Sequence, residues 1–231
     1  MAEKLPIAVL ISGSGTNLQS MIDAIAAKKL DATIQVVLSN RADAFGLVRA
    51  KNHGIPTELL DHKSFPDREA YDHAVVDLLR ARGVQLVALA GFMRLLSPVL
   101  VTAFSNRIMN IHPALLPSFP GLHVQKKALE HGVRFSGCTV HFVNEECDEG
   151  PIIIQAVVPV FPDDTEEQLA ERILKQEHRI YPRAIQLYAE GRLHVVGRKV
   201  MVDGLARDDS QILINPLLDG CRKPSRFWFC F

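Results

Sequence analysis

Six short apolar runs rich in β-branched residues recur along the chain: Ile7 to Ile11, Ile34 to Leu38, Leu86 to Ala90, Ile108 to Ile111, Thr139 to Val143 and Ile152 to Val160. Helical patterns fill the gaps between the early runs. Leu18, Met21, Ile22 and Ile25 keep the i, i+3, i+4, i+7 spacing that gathers apolar side chains on one helix face, and Tyr71, Val75 and Leu78 follow the same rule. Strand and helix in alternation predict an α/β fold, a mostly parallel central sheet with helices on both faces. The first run is apolar almost throughout, as a strand buried on both faces requires.

The last third reads differently. Thr165 and Gln168 form a capping box, and Leu169, Ile173 and Ile180 give the helix that follows a buried stripe. Tyr181-Pro182 predicts a bend or an interruption there. Leu193 to Val196 and Lys199 to Val202 flank Gly197-Arg198 as a closing hairpin, so the sheet is expected to be mixed at its C-terminal end. A chain of 231 residues fits one catalytic domain over residues 1–206 and an atypical tail over 207–231. The tail runs through Ile212-Leu213-Ile214 and a basic stretch to Phe227-Trp228-Phe229-Cys230-Phe231, and is read as a poorly ordered appendage or an irregularity of the sequence, with a docking role for the aromatic end as the alternative.

Composition narrows the partners. The chain carries 26 Lys and Arg against 26 Asp and Glu, which gives no basic field for nucleic acid; a small-molecule partner is expected. No apolar run approaches the roughly 18 residues of a membrane span, and the N-terminus lacks a signal-peptide pattern, so a cytoplasmic protein without membrane partners is expected. Cys138, Cys147, Cys221 and Cys230 form no Cys-x-x-Cys pair, and none stands near histidines at zinc spacing; neither disulfide nor metal is suggested.

Two motifs carry chemistry. Ser12-Gly13-Ser14-Gly15-Thr16-Asn17 lies between the first strand and the first helix, where backbone amides and a helix N-terminus make an anion site suited to a phosphate group. A dinucleotide fits poorly: the third glycine of that fingerprint is Leu18 here, and the second strand ends in Ser39-Asn40-Arg41 rather than an acid. The second motif is Asn110-Ile111-His112-Pro113, with Asp148 downstream. On an extended segment Asn110 and His112 point to one face, and Pro113 biases His112 towards that backbone. An amide and an imidazole can stabilise an oxyanion while a carboxylate removes a proton, the set needed to acylate an amine without a covalent intermediate. Spacing alone leaves open whether Asp148 meets His112 or is a solvated charge in an acidic loop. His141, alternating with Val140 and Phe142, reads as a structural histidine, and His123 as either loop packing or support for the site.

In order along the chain, Ile11-Ser12-Gly13-Ser14-Gly15-Thr16-Asn17-Leu18-Gln19, Leu89-Ala90-Gly91-Phe92-Met93-Arg94, Asn110-Ile111-His112-Pro113-Ala114-Leu115-Leu116-Pro117 and Asp148-Glu149-Gly150-Pro151 resemble the phosphoribosylglycinamide formyltransferase family, from about Ile7 to Gly204. The resemblance implies a Rossmann-like formyltransferase fold and transfer of formyl from 10-formyltetrahydrofolate to the amine of glycinamide ribonucleotide. It implies Asn110, His112 and Asp148 as the catalytic trio, and Gly15, Thr16, Asn17, Gly91, Met93 and Glu177 as ribonucleotide contacts. For the folate it implies Arg94, Leu95, Leu96, Val143, Asn144 and Asp148, with Leu95 and Leu96 as an apolar slot. It further implies a tight turn at Leu116-Pro117 in which a cis bond fits, and a monomer or weak homodimer. Three rivals remain: a related deformylase, expected to carry an extra N-terminal domain; a methionyl-tRNA formyltransferase, expected to carry a basic RNA-binding domain; and a non-enzymatic nucleotide-binding module, which leaves the trio without a purpose.

Overall fold

The computed structural model describes residues 4–204, Leu213 and Asn215; the rest of the tail, including 216–231, lies outside the described residues. Five strands, β1 (Leu5–Ile11), β2 (Ala32–Ser39), β3 (Thr57–Leu59), β4 (Leu86–Leu89) and β5 (Ile108–His112), run parallel in the spatial order β3-β2-β1-β4-β5. Then the direction changes. β6 (Phe135–Phe142) is antiparallel to β5, and β7 (Ile152–Pro159) is antiparallel to β6. The expected hairpin, β8 (Leu193–Val196) and β9 (Lys199–Val202), closes the sheet by pairing β9 beside β7. The sheet is therefore mostly parallel and mixed at its C-terminal end. No helix among the described residues is long and apolar enough to cross a membrane.

Alternate residues of β1 feed two separate cores, as the two-residue period demands. Ile7, Val9 and Ile11 pack with α1 (Thr16–Ala26), α2 (Phe45–Asn52), α5 (Val124–Glu130) and α6 (Glu166–Ala189), whereas Ala8 and Leu10 pack with α3 (Arg68–Ala81) and α4 (Pro98–Ala103). The second core reaches β5 only at Ile108 and takes no buried residue from β6 or β7. Beyond that point no helix of the described residues covers the face opposite α6. The strand register places Asn110 and His112 of β5, Thr139 and His141 of β6 and Gln155 of β7 on this face, while Ile111, Val140 and Phe142 point into the first core.

Helix α6 begins with the predicted capping box, Thr165 and Gln168 satisfying each other's backbone N–H groups. It runs through Pro182 without the interruption expected from Tyr181-Pro182. An interior proline costs about 3 kcal/mol through the lost hydrogen bond and the ring clash. Burial outweighs that: Tyr181, Ala184 and Ile185 are wholly buried around it, and each large side chain so buried contributes about 1.5–3 kcal/mol. The Tyr181 hydroxyl also lies 3.0 Å from the Leu89 carbonyl and 2.8 Å from that of Met109, fastening the helix to the β4–β5 seam. We expect Tyr181→Phe to lower unfolding free energy by about 1–3 kcal/mol, because buried acceptors are left without their donor. Urea denaturation checks this, and a loss under about 0.5 kcal/mol contradicts the role given to the hydroxyl.

Candidate active site

Two segments fold over the bare polar face, and its side chains hold them there. The Thr139 hydroxyl donates to the Ala114 carbonyl at 2.7 Å and accepts from the Leu116 N–H at 3.1 Å and from Gln155 Nε2 at 3.0 Å. Gln155 Nε2 also donates to the Leu116 carbonyl at 2.9 Å. The Leu116-Pro117 bond is cis, as the tight turn allowed. This anchoring brings the Phe119 carbonyl within 2.9 Å of His112 Nε2, so that nitrogen carries a proton and donates.

The second segment follows β6. Gly150 lets it pass against the sheet, since a Cβ there would overlap the Phe142 carbonyl. Asp148 adopts φ 58°, a left-handed conformation that aspartate tolerates better than most residues. Its carboxylate is turned inward. Oδ2 accepts from the Gly121 N–H at 2.9 Å and stands 3.5 Å from His112 Nδ1, and the side chain is only 10% exposed. The solvated-charge reading of Asp148 therefore fails, and the expected meeting with His112 is present.

His141, the expected structural histidine, lies beside the same cluster and is buried. Its Nδ1 lies 2.9 Å from the Phe142 carbonyl, an acceptor, so Nδ1 holds the proton and Nε2 accepts from the Asn110 amide nitrogen at 3.3 Å. Burial pushes the His141 pKa down, in keeping with a neutral ring. One Asn110 N–H is thus fixed by His141, and the other has no partner among the described residues. The only signal in the sequence was the alternation of Thr139 and His141 with core residues, ordinary for a strand with one wet face. His123 is exposed and left-handed at the start of α5; in that turn the contact with Asp148 comes from the Gly121 N–H.

The remaining expected residues lie along the same end of the sheet. Leu10, Leu89, Asn110 and His141 stand in one row across β1, β4, β5 and β6. Gly15, Thr16 and Asn17 follow β1, with Gly15 at φ 69° opening α1 and no side chain capping that helix. Gly91, Met93, Arg94, Leu95 and Leu96 follow β4, and Ser12 ties the loops together: its hydroxyl donates to Asn40 Oδ1 at 2.6 Å and accepts from the Met93 N–H at 2.9 Å. Asn17 Nδ2 donates to Glu177 Oε2 at 2.7 Å, which brings α6 to the glycine loop; burial raises the Glu177 pKa, partly countered by that bond. Arg94 stacks on the Tyr71 ring at 4.5 Å. The slot expected from Leu95 and Leu96 is only half formed, since Leu96 packs on the second core while Leu95 is exposed. Val143 and Asn144 open the segment that ends at Asp148.

The structure thus joins, at one end of an open α/β sheet, a glycine loop with an amide, two imidazoles and a carboxylate, groups that can donate hydrogen bonds and take up a proton. Residues 5–185 match the family described as formyl transferase. Phosphoribosylglycinamide formyltransferase of Escherichia coli strain K12 is 48% identical over 198 residues, 86% of this chain and 93% of that protein. Glycinamide ribonucleotide transformylase 1 from Symbiobacterium toebii superposes with a TM-score of 0.86 at 54% identity, covering 87% of this chain and 95% of that one. A formyltetrahydrofolate deformylase from Pseudomonas syringae superposes with a TM-score of 0.80 at 30% identity, covering 87% of this chain and 66% of that one. The chain belongs to the formyl transferase family.

A histidine kept neutral in the fold but protonated when unfolded makes stability depend on pH. The His141 contribution is complete above its ordinary value of about 6.5 and is lost as pH falls from there through the lowered folded value. We expect His141→Gln to flatten the fall in unfolding free energy between pH 7.5 and 5.5. Parallel pH slopes for the variant and the parent, by urea denaturation, contradict this.

Proposed function

We propose that the protein transfers the formyl group of 10-formyltetrahydrofolate to the primary amine of glycinamide ribonucleotide, a step of purine biosynthesis. The single observation that carries the reading is the Asn110, His112 and Asp148 cluster standing in one row with the loop suited to a phosphate. Adjacent strands lie about 4.8 Å apart, so the strand bearing Leu10, just before the loop, is about 10 Å from the one bearing Asn110. A phosphorylated pentose with a short amide arm spans such a gap. Asn17 Oδ1, Arg94 Nε and Asn144 Oδ1 support it further: each is buried without a partner among the described residues, and each belongs to a residue expected to meet a substrate.

The chemistry follows from the geometry. The amine lone pair attacks the formyl carbon, and negative charge gathers on the formyl oxygen. Asn110, oriented by His141, donates its free N–H to that oxygen. With Nε2 of His112 committed to Phe119, Nδ1 is the nitrogen facing the reaction; in the doubly protonated ring, held beside the Asp148 carboxylate, it donates to the oxyanion. Asp148 accepts the proton shed by the amine, directly or through water, and collapse of the adduct expels the folate nitrogen, which takes up a proton. Ribonucleotide contacts come from Gly15, Thr16, Asn17, Gly91, Met93 and Glu177. The folate lies against Arg94, Leu95, Leu96, Val143 and Asn144.

Loss of formyl-folate, followed with and without glycinamide ribonucleotide, tests the reaction. Turnover that requires the ribonucleotide is expected; equal turnover without it means a deformylase, and none under either condition means a binding module. Asp148→Asn and His112→Ala are each expected to cut kcat by at least about 100-fold. Near-normal turnover in either removes that residue from its role.

A further inference from the structure

The glycine loop takes its orientation from α2, an element the assigned chemistry does not use. The Gly46 N–H donates to the Gly13 carbonyl at 3.0 Å, and Arg49 Nε donates to the Ser14 carbonyl at 2.9 Å. Across a trans peptide the C=O and the following N–H point opposite ways. Two carbonyls drawn towards α2 therefore turn the N–H groups of Ser14 and Gly15 away from it, to the side where the uncapped first turn of α1 presents its own free N–H groups. The approach is too close for side chains: a Cβ on Gly15 would lie 2.5 Å from Gly46 Cα, and one on Gly46 would lie 2.4 Å from Ile11 Cδ1. Arg49 is itself held, over the Phe45 ring at 5.0 Å and by Nη1 to Gln19 Oε1 at 3.4 Å. With Thr16, Gln19, Asp23, Lys29 and His178 it lines a cavity of about 590 Å³ beside the loop.

We propose that Arg49 is the positioning residue for the substrate's phosphomonoester, setting the polarity of the loop's peptide groups and placing a fixed positive charge behind them. The inference rests on the ribonucleotide reading above. Lysine keeps the charge but has no donor at the Nε position, so it cannot hold the Ser14 carbonyl in the same way. Both Arg49→Met and Arg49→Lys should raise KM for the ribonucleotide on the order of tenfold, the scale of one lost charge-assisted hydrogen bond. Saturating ribonucleotide should restore kcat to within about twofold, and KM for formyl-folate should not move, because a phosphate handle binds ground and transition states alike. Inorganic phosphate, competing with the ribonucleotide, should weaken in both variants by a similar factor.

An unchanged KM in Arg49→Met overturns the proposal, as does full function in Arg49→Lys or an equal rise in KM for formyl-folate. Thr16→Val, assayed alongside, separates the two levels of inference. A raised KM in Thr16→Val with none in Arg49→Met loses only the role of Arg49. An unchanged KM in both removes the phosphate from the loop and takes the ribonucleotide reading with it.

Discussion

Asp148 reaches His112 because the sheet reverses direction after β5. Had β6 continued the parallel order, a crossover helix would cover the face that Asn110 and His112 share, as α3 and α4 cover it beside β1 and β4. The antiparallel pair instead sets His141 opposite Asn110 and Thr139 opposite His112 on an uncovered surface, and the following segment turns Asp148 back over it. The site depends on that bare polar face. Without Thr139 and Gln155 to hold the 114–116 backbone, the Phe119 carbonyl would not fix His112 from the other side.

Polar groups in this cluster divide into two kinds. Those that must keep one orientation are bonded within the protein: His141 to the Phe142 carbonyl, Asn110 to His141, His112 to Phe119, and Asp148 to the Gly121 amide. Those expected to meet substrate have capacity left over, such as Asn17 Oδ1 and Asn144 Oδ1. Prearranged donors cost no reorganisation when charge develops, which is why such preparation accelerates transfer rather than merely binding substrate. Helix α6 serves both kinds, since Tyr181 clamps the β4–β5 seam and Glu177, one turn earlier, holds Asn17.

Much of this was legible in the sequence because strong periodicity and local chemistry agreed. The apolar runs that became β1 and β4 are buried on both faces, and the hairpin of β8 and β9 has the bounds that its turn residues set. The interruption allowed at Pro182 does not occur, because a local cost of a few kcal/mol is outweighed by packing that only the tertiary structure shows. His141 is the satisfied, buried histidine that its alternation with core residues suggests, but spacing does not reveal that one of its partners is Asn110. The Asp148–His112 contact joins residues far apart in the chain and follows from strand direction, which spacing does not encode. Arg49 left no trace either, since its partner is a backbone carbonyl.

The central claim is that both substrates meet over this one polar face and that the formyl group passes directly between them. Initial rates measured while formyl-folate and ribonucleotide are varied together test it most directly. Double-reciprocal lines that intersect are predicted, because catalysis then needs both molecules bound at once. Parallel lines would contradict the account, since they would mean that the protein first takes the formyl group covalently and delivers it in a second step.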